Sequence, residues 1–234
     1  MLSFLFSIVL LVLGYILYGR LVARIFGADA NRTTPAIANP DGVDYVAMPW
    51  WKIFLIQFLN IAGLVNDSIV DGPGIRFTIF AQGCSHDCPG CHNPDTHPFG
   101  MGVDMSISEI INQIKANPLV RGVTFSGGDP FFQAEGFAEL ARRLKALGYE
   151  VASYTGFTWE QIVGIGNTHQ IELLKNLDIL VDGLYIEEKR NLDLRFRGSE
   201  NQRIIDVQKS LEGISFGISP VHQPILCTQK RWTG

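Results

Sequence analysis

Cys84, Cys88 and Cys91 lie within one short stretch, Gly-Cys-Ser-His-Asp-Cys-Pro-Gly-Cys-His-Asn. This C-x3-C-x2-C spacing constrains the chain more than any other feature. Thiolates are soft ligands that suit iron–sulfur clusters and zinc. The residues between them are small or turn-forming, and Pro89-Gly90 supplies a turn, so one loop can wrap three thiolates around one centre. A structural zinc site takes four protein ligands, and a four-iron cluster usually takes four cysteines. Three thiolates therefore leave a position open for chemistry, unless His86, His92, His97 or the distant Cys227 completes a closed zinc site.

Four cysteines in 234 residues, three of them clustered, do not form a disulfide framework and point to a reducing compartment. A net charge of −4, with no basic block, argues against nucleic-acid binding. An apolar fraction of 47% is enough for a packed core.

Residues 1–19 are almost wholly apolar and uncharged, and Arg20 and Arg24 follow. Leu2 to Tyr18 reads as a membrane helix with its carboxyl end in the cytoplasm. A signal peptide fits less well, because no basic residue precedes the apolar run. Residues 28–48 read as an irregular connection. The apolar stretch Pro49 to Leu59, with Trp50-Trp51 at its start, suits a membrane interface rather than a second span.

From Gly63 the pattern alternates between strand and helix. Strands are expected at Ile61 to Val65, Ile75 to Ala81, Gly122 to Phe125, Tyr149 to Tyr154 and Ile179 to Val181. Helices are expected from Ile107 to Lys115, Gln133 to Leu147 and His169 to Lys175, with capping boxes at Ser106/Glu109 and Thr158/Gln161. Alternation of this kind implies a mostly parallel sheet. In such α/β folds the carboxyl ends of strands line the site, which makes Tyr154-Thr155-Gly156 and Asp182-Gly183 candidates.

Several motifs occur in order around the cysteines: Asp71-Gly72-Pro73-Gly74-Ile75-Arg76, Ser126-Gly127-Gly128-Asp129-Pro130, Tyr154-Thr155-Gly156, Val181-Asp182-Gly183 and Arg197-Gly198-Ser199-x-Asn201-Gln202. Taken together, from about Ile61 to Leu211, they resemble the radical S-adenosylmethionine (SAM) activases of glycyl-radical enzymes, and especially those that serve the anaerobic ribonucleoside-triphosphate reductase. The resemblance implies an α/β fold of the partial (βα) barrel type. It implies a [4Fe–4S] cluster on Cys84, Cys88 and Cys91, with SAM chelating the fourth iron. Reductive cleavage of SAM would then yield a radical that takes hydrogen from a glycine of the reductase. An electron donor such as flavodoxin is implied as well.

The same resemblance assigns cofactor contacts to Gly90, Cys91, His92, Gly127, Gly128, Asp129, Tyr154, Thr155, Asp182 and Gly183. His92 would lie against adenine. Asp129 would accept hydrogen bonds from the SAM ammonium, although read alone Gly127-Gly128-Asp129 is an ordinary loop. Arg76 is a candidate charge near SAM.

Residues 1 to about 60 separately resemble the amino terminus of the carbon starvation protein family, through Gly-Ala-Asp-x-Asn-Arg (27–32), Asp41 to Tyr45 and Pro49 to Gln57. The expected organisation is a transporter-like fragment at 1–60, an activase domain at 61–218 and an unassigned tail at 219–234. The catalytic domain would be cytoplasmic, with membrane association through residues 2–18. The alternatives are a zinc-binding interaction module, or a non-functional transporter fragment fused to an activase.

Overall fold

In the computed structural model the described residues are 13–15, 17–18, 20–21, 58–215 and 223–227. The chain divides into two units, Met1–Trp50 and Trp51–Gly234. In the first, the described residues are helical and exposed. Among the described residues, no helix is long and apolar enough to cross a membrane. Most of the expected span at residues 2–18, the connection at 28–48 and the Trp50-Trp51 segment lie outside them.

The second unit is a mixed α/β sheet of seven strands: β1 (Phe58–Ser68), β2 (Arg76–Ala81), β3 (Val103–Ser106), β4 (Gly122–Gly127), β5 (Glu150–Tyr154), β6 (Ile179–Asp182) and β7 (Arg203–Asp206). Their spatial order is β3-β1-β2-β4-β5-β6-β7. The central four, β2, β4, β5 and β6, run parallel, while β1, β3 and β7 are antiparallel to their neighbours. Strand β1 begins at Phe58, and Phe58 to Ile61 pair with Ser106 to Val103. The sheet thus includes residues upstream of the expected boundary at 60.

Among the described residues of this unit, five helices accompany the strands: α1 (Ile107–Ala116), α2 (Ala134–Ala146), α3 (Trp159–Ile165), α4 (Thr168–Lys175) and, after the last strand, α5 (Val207–Ser215). Helix α1 starts where the Ser106 hydroxyl accepts the Glu109 amide. Both α3 and α4 carry full capping boxes, Thr158/Gln161 and Asn167/Gln170. In α2 the apolar positions Phe137, Leu140, Ala141 and Leu144 recur at helical spacing and are fully buried. They pack on the sheet face that carries Phe77, Ile79, Val123, Phe125 and Val151. The Phe125 and Phe137 rings lie 4.9 Å apart. Because strand side chains alternate, the opposite face presents the in-register row Thr78, Thr124, Ala152 and Ile179.

Arg76 is 1% exposed and lies at the amino end of β2. Its Nε donates to Thr124 Oγ1 at 2.6 Å, one Nη to Glu150 Oε1 at 2.9 Å and the other to the Val123 carbonyl at 2.9 Å. Gly72 makes room for it: at φ +142°, a Cβ there would sit 2.5 Å from Arg76 Cδ. This corrects the expectation of a charge near SAM. The cysteine loop leaves the other end of β2, five residues or roughly 16 Å along the strand. Arg76 instead packs beneath Gly72 and joins β2 to β4 and β5, while Thr124 Oγ1 donates to the Asp71 carbonyl at 2.8 Å.

Removing that guanidinium should destabilise the fold. Arg76→Ala is expected to cost about 2–4 kcal/mol in urea unfolding, below the usual loss for a wholly buried pair, because the Glu150 side chain is 31% exposed. A loss under about 1 kcal/mol, the level of a surface pair, would show that the arginine does not hold this end of the sheet.

Candidate active site

The carboxyl ends of β2, β4, β5 and β6 lie side by side, and a cavity of about 600 Å³ opens among the loops that leave them. Cys84, Cys88 and Cys91 line it from the loop after β2, and His92 follows them. Gly127, Gly128 and Asp129 line it after β4, Tyr154 and Thr155 after β5, and Gly183 after β6. Two expected contacts do not line it. Gly90 faces the Glu187 carboxyl and the Tyr185 ring. Asp182 is 1% exposed and turns back into the fold, accepting the Trp159 amide at 2.7 Å and hydrogen bonds from Arg203. Arg203 also grips Glu160, which holds the Glu160 carboxyl below its ordinary range.

The cysteine loop is fastened at its base. Gly83 and Cys84 donate to the carbonyls of Thr96 and His97 at 2.7 and 2.9 Å, and Cys91 closes a turn on the Cys88 carbonyl at 3.1 Å. The Asn93 amide donates to Cys91 Sγ at 3.4 Å, and the backbone amides of His86 and Tyr185 favour the thiolates of Cys84 and Cys88. Burial pushes the Cys84 thiol up to about 11 and the Cys88 thiol upward as well. Without metal these groups are thiols at neutral pH, so metal binding must release protons. Among the described residues, no three His, Cys, Asp or Glu side chains converge as a single metal ion would require. These backbone N–H groups fit cluster thiolates, whose potential hydrogen bonds to sulfur tune.

The Asp129 carboxylate, expected to face an ammonium, is 1% exposed and already takes four donors from the chain. Its Oδ2 accepts from His86 Nε2 at 2.8 Å, Thr155 Oγ1 at 2.9 Å and the Gly156 amide at 3.0 Å. Its Oδ1 accepts the Phe131 amide at 2.9 Å. The His86 ring packs on Phe132 and Phe157, with centroids 5.3 and 4.7 Å away. One carboxylate thus joins the middle of the cysteine loop to the exits of β4 and β5. Ahead of it, Gly127 adopts φ +90°, and a Cβ there would lie 2.7 Å from the Ala81 backbone. Backbone therefore lines the cavity at this point, where a side chain would not fit.

Residues 184–202 also contribute to the cavity wall, and no cofactor contact is expected there from the motifs. Tyr185 packs against His92 with centroids 4.9 Å apart. The Gln202 side chain accepts the Gly198 amide at 2.8 Å and donates to the Gly183 carbonyl at 3.1 Å. Arg197 and Gln202 both line the cavity. The Arg-Gly-Ser-x-Asn-Gln motif was the available signal, but it carries no chemistry until the fold brings it to the cysteines. The candidate fourth ligands for zinc separate. His86, His92 and His97 all line the cavity, and His86 is engaged by Asp129. Cys227 lies at the edge of β7, its amide donating to the Ile204 carbonyl at 2.9 Å.

A family model described as a 4Fe-4S single cluster domain matches residues 70–205. A second, for carbon starvation protein CstA, matches residues 1–68 and so runs through β1. A solved structure, QueE from Escherichia coli, overlaps 45% of this chain and 57% of its own at 16% identity, with a TM-score of 0.38, too loose to inform the fold. Curated relatives carry the name anaerobic ribonucleoside-triphosphate reductase-activating protein. That of Escherichia coli K12 is 32% identical over 57% of this chain and 90% of its own. That of Haemophilus influenzae is 33% identical over 62% and 97%. That of Enterobacteria phage T4 is 33% identical over 62% and 93%. The chain belongs to the family of anaerobic ribonucleoside-triphosphate reductase-activating proteins, built on a 4Fe-4S single cluster domain.

Proposed function

We propose that the chain is a radical SAM enzyme that generates a glycyl radical on an anaerobic ribonucleoside-triphosphate reductase. The observation that carries this reading is the cavity at the strand ends. Three cysteines line it, the Asn93 amide donates to the Cys91 sulfur, and the Gly127–Gly128 backbone lines the same cavity. Cys84, Cys88 and Cys91 hold the [4Fe–4S] cluster, and their count leaves one iron for SAM. When bound and reduced, the cluster supplies the electron that breaks the SAM sulfur–carbon bond.

The chain positions the reactants and keeps water out. Gly127 and Gly128 bring bare backbone to the SAM amino group. His92, steadied by Tyr185, lies along the adenine. Tyr154, Thr155 and Gly183 complete the SAM pocket. Asp129 is a clamp for the cysteine loop, since its oxygens are already engaged. The sheet is read as a partial (βα) barrel whose site face is open to the reductase.

A flavodoxin-type donor and a cytoplasmic catalytic unit fit the low potential that the chemistry needs. The activase unit spans about 61–218 together with the strand residues from Phe58. Residues 2–18 form a membrane tether.

Anaerobic reconstitution with iron and sulfide, then SAM and dithionite, should yield 5′-deoxyadenosine. Replacing Cys84, Cys88 or Cys91 by Ala should abolish the product and the cluster absorbance, whereas Cys227→Ala should match the wild type. Loss of cluster iron in Cys227→Ala would make that residue a fourth ligand and end the open-site reading.

Asp129→Ala removes an acceptor from four donors. It should cost about 2–4 kcal/mol in the metal-free protein, as buried donors lose their partner, and should lower the iron bound on reconstitution. A variant of wild-type stability and full iron content that fails to bind SAM would return Asp129 to the role of ammonium ligand.

A further inference from the structure

Arg197 is the only lysine or arginine among the described residues that line the cavity. The two aspartates that line it are both engaged by the chain. Asp71 Oδ2 accepts from Ser68 Oγ at 2.5 Å and Thr78 Oγ1 at 3.0 Å, and Asp129 holds the four donors already described. The cavity therefore presents one cation and no acid without protein donors. Arg197 itself spends one Nη on the Gln202 carbonyl at 2.8 Å. A guanidinium has five N–H donors in a planar fork that matches a carboxylate. Among the described residues its remaining donors meet no protein acceptor.

The backbone holds this arginine in place with unusual care. Phe196, just before it, sits at φ +57°, a conformation that costs a bulky residue energy and that persists only where the surroundings enforce it. The Tyr154 hydroxyl donates to the Phe196 carbonyl at 3.0 Å. On the other side, Gln202 Oε1 accepts the amides of Gly198 and Ser199. The turn is thus fastened to β5 and to the start of β7. It also abuts the cysteine loop: a Cβ on Gly198 would lie 3.2 Å from His92 Cε1, one residue beyond Cys91. The turn that carries Arg197 is thus held against the cysteine loop, and Arg197 lines the same cavity as the three thiols.

We propose that Arg197 binds the α-carboxylate of SAM. The inference rests on the activase reading above, in which SAM brings a single carboxylate to this cavity. Pairing fixes the amino-acid end of SAM and offsets the negative charge that three thiolates and a carboxylate would otherwise concentrate at one spot. Gln202 and Tyr154 act as positioning residues for the guanidinium.

The test is a charge series on reconstituted holoenzyme: wild type, Arg197→Lys, Arg197→Met and Arg197→Glu. SAM affinity is read from the change in the electron paramagnetic resonance signal of the reduced cluster as SAM is added. Iron content and thermal unfolding are measured in parallel. The expected order of affinity is Arg, Lys, Met, Glu. Arg197→Met should lose about ten- to a hundredfold, as expected for one hydrogen-bonded charge, with iron content unchanged. Equal affinities across the series, or losses that follow thermal stability rather than charge, would overturn the assignment while leaving the activase reading intact. A cluster-loaded wild type that binds no SAM at all would overturn both.

Discussion

The site depends on one buried carboxylate. Asp129 receives donors from His86 in the cysteine loop, from Thr155 and Gly156 at the exit of β5, and from Phe131 in its own turn. An acceptor with this many partners is well solvated by protein, so its charge is tolerable at 1% exposure. The consequence is geometric. Three segments that are far apart in sequence meet at one atom pair, and the loop that carries the thiols cannot drift from the strand ends. His86, between the first two cysteines, transmits that constraint, and the Phe132 and Phe157 rings limit where its imidazole can go.

The two ends of the sheet do different work with similar means. At the amino end, Arg76 is buried against Thr124, Val123 and Glu150 and serves stability. At the carboxyl end, Arg197 faces a cavity with most of its donors unspent on protein. Burial lowers the proton affinity of Arg76, a cost that its partners offset. The loops at the carboxyl end can carry chemistry because strands β2, β4 and β5 are held in register from the opposite end.

The thiol environment links folding to metal. Cys84 and Cys88 titrate upward chiefly because they are partly buried. The backbone amides of His86 and Tyr185 favour the charged thiolates but do not outweigh that burial. Metal must supply the remaining stabilisation, so the loop is shaped for a cluster yet holds its protons until one arrives.

How much of this was legible in the sequence follows from which interactions are local. The C-x3-C-x2-C spacing determined that one loop carries three thiols, because ligands so close in sequence need no tertiary help. Helical spacing of Phe137, Leu140 and Leu144 and the Thr158/Gln161 box determined α2 and the start of α3 for the same reason. Strands β3 and β7 were not legible, because each is four residues long and mixed in polarity, and each exists only through antiparallel pairing with a distant strand. Only tertiary structure decided that Arg76 points away from the site, since a motif gives order along the chain but not which end of a strand faces a ligand. Tertiary structure likewise turned Asp182 inward to Trp159 and Arg203 while leaving Gly183 at the cavity. It also brought the turn that carries Arg197 against His92, more than a hundred residues after the cysteine motif. Charge and hydrogen-bonding capacity are written in the residue types, but their direction is set by packing that no single segment contains.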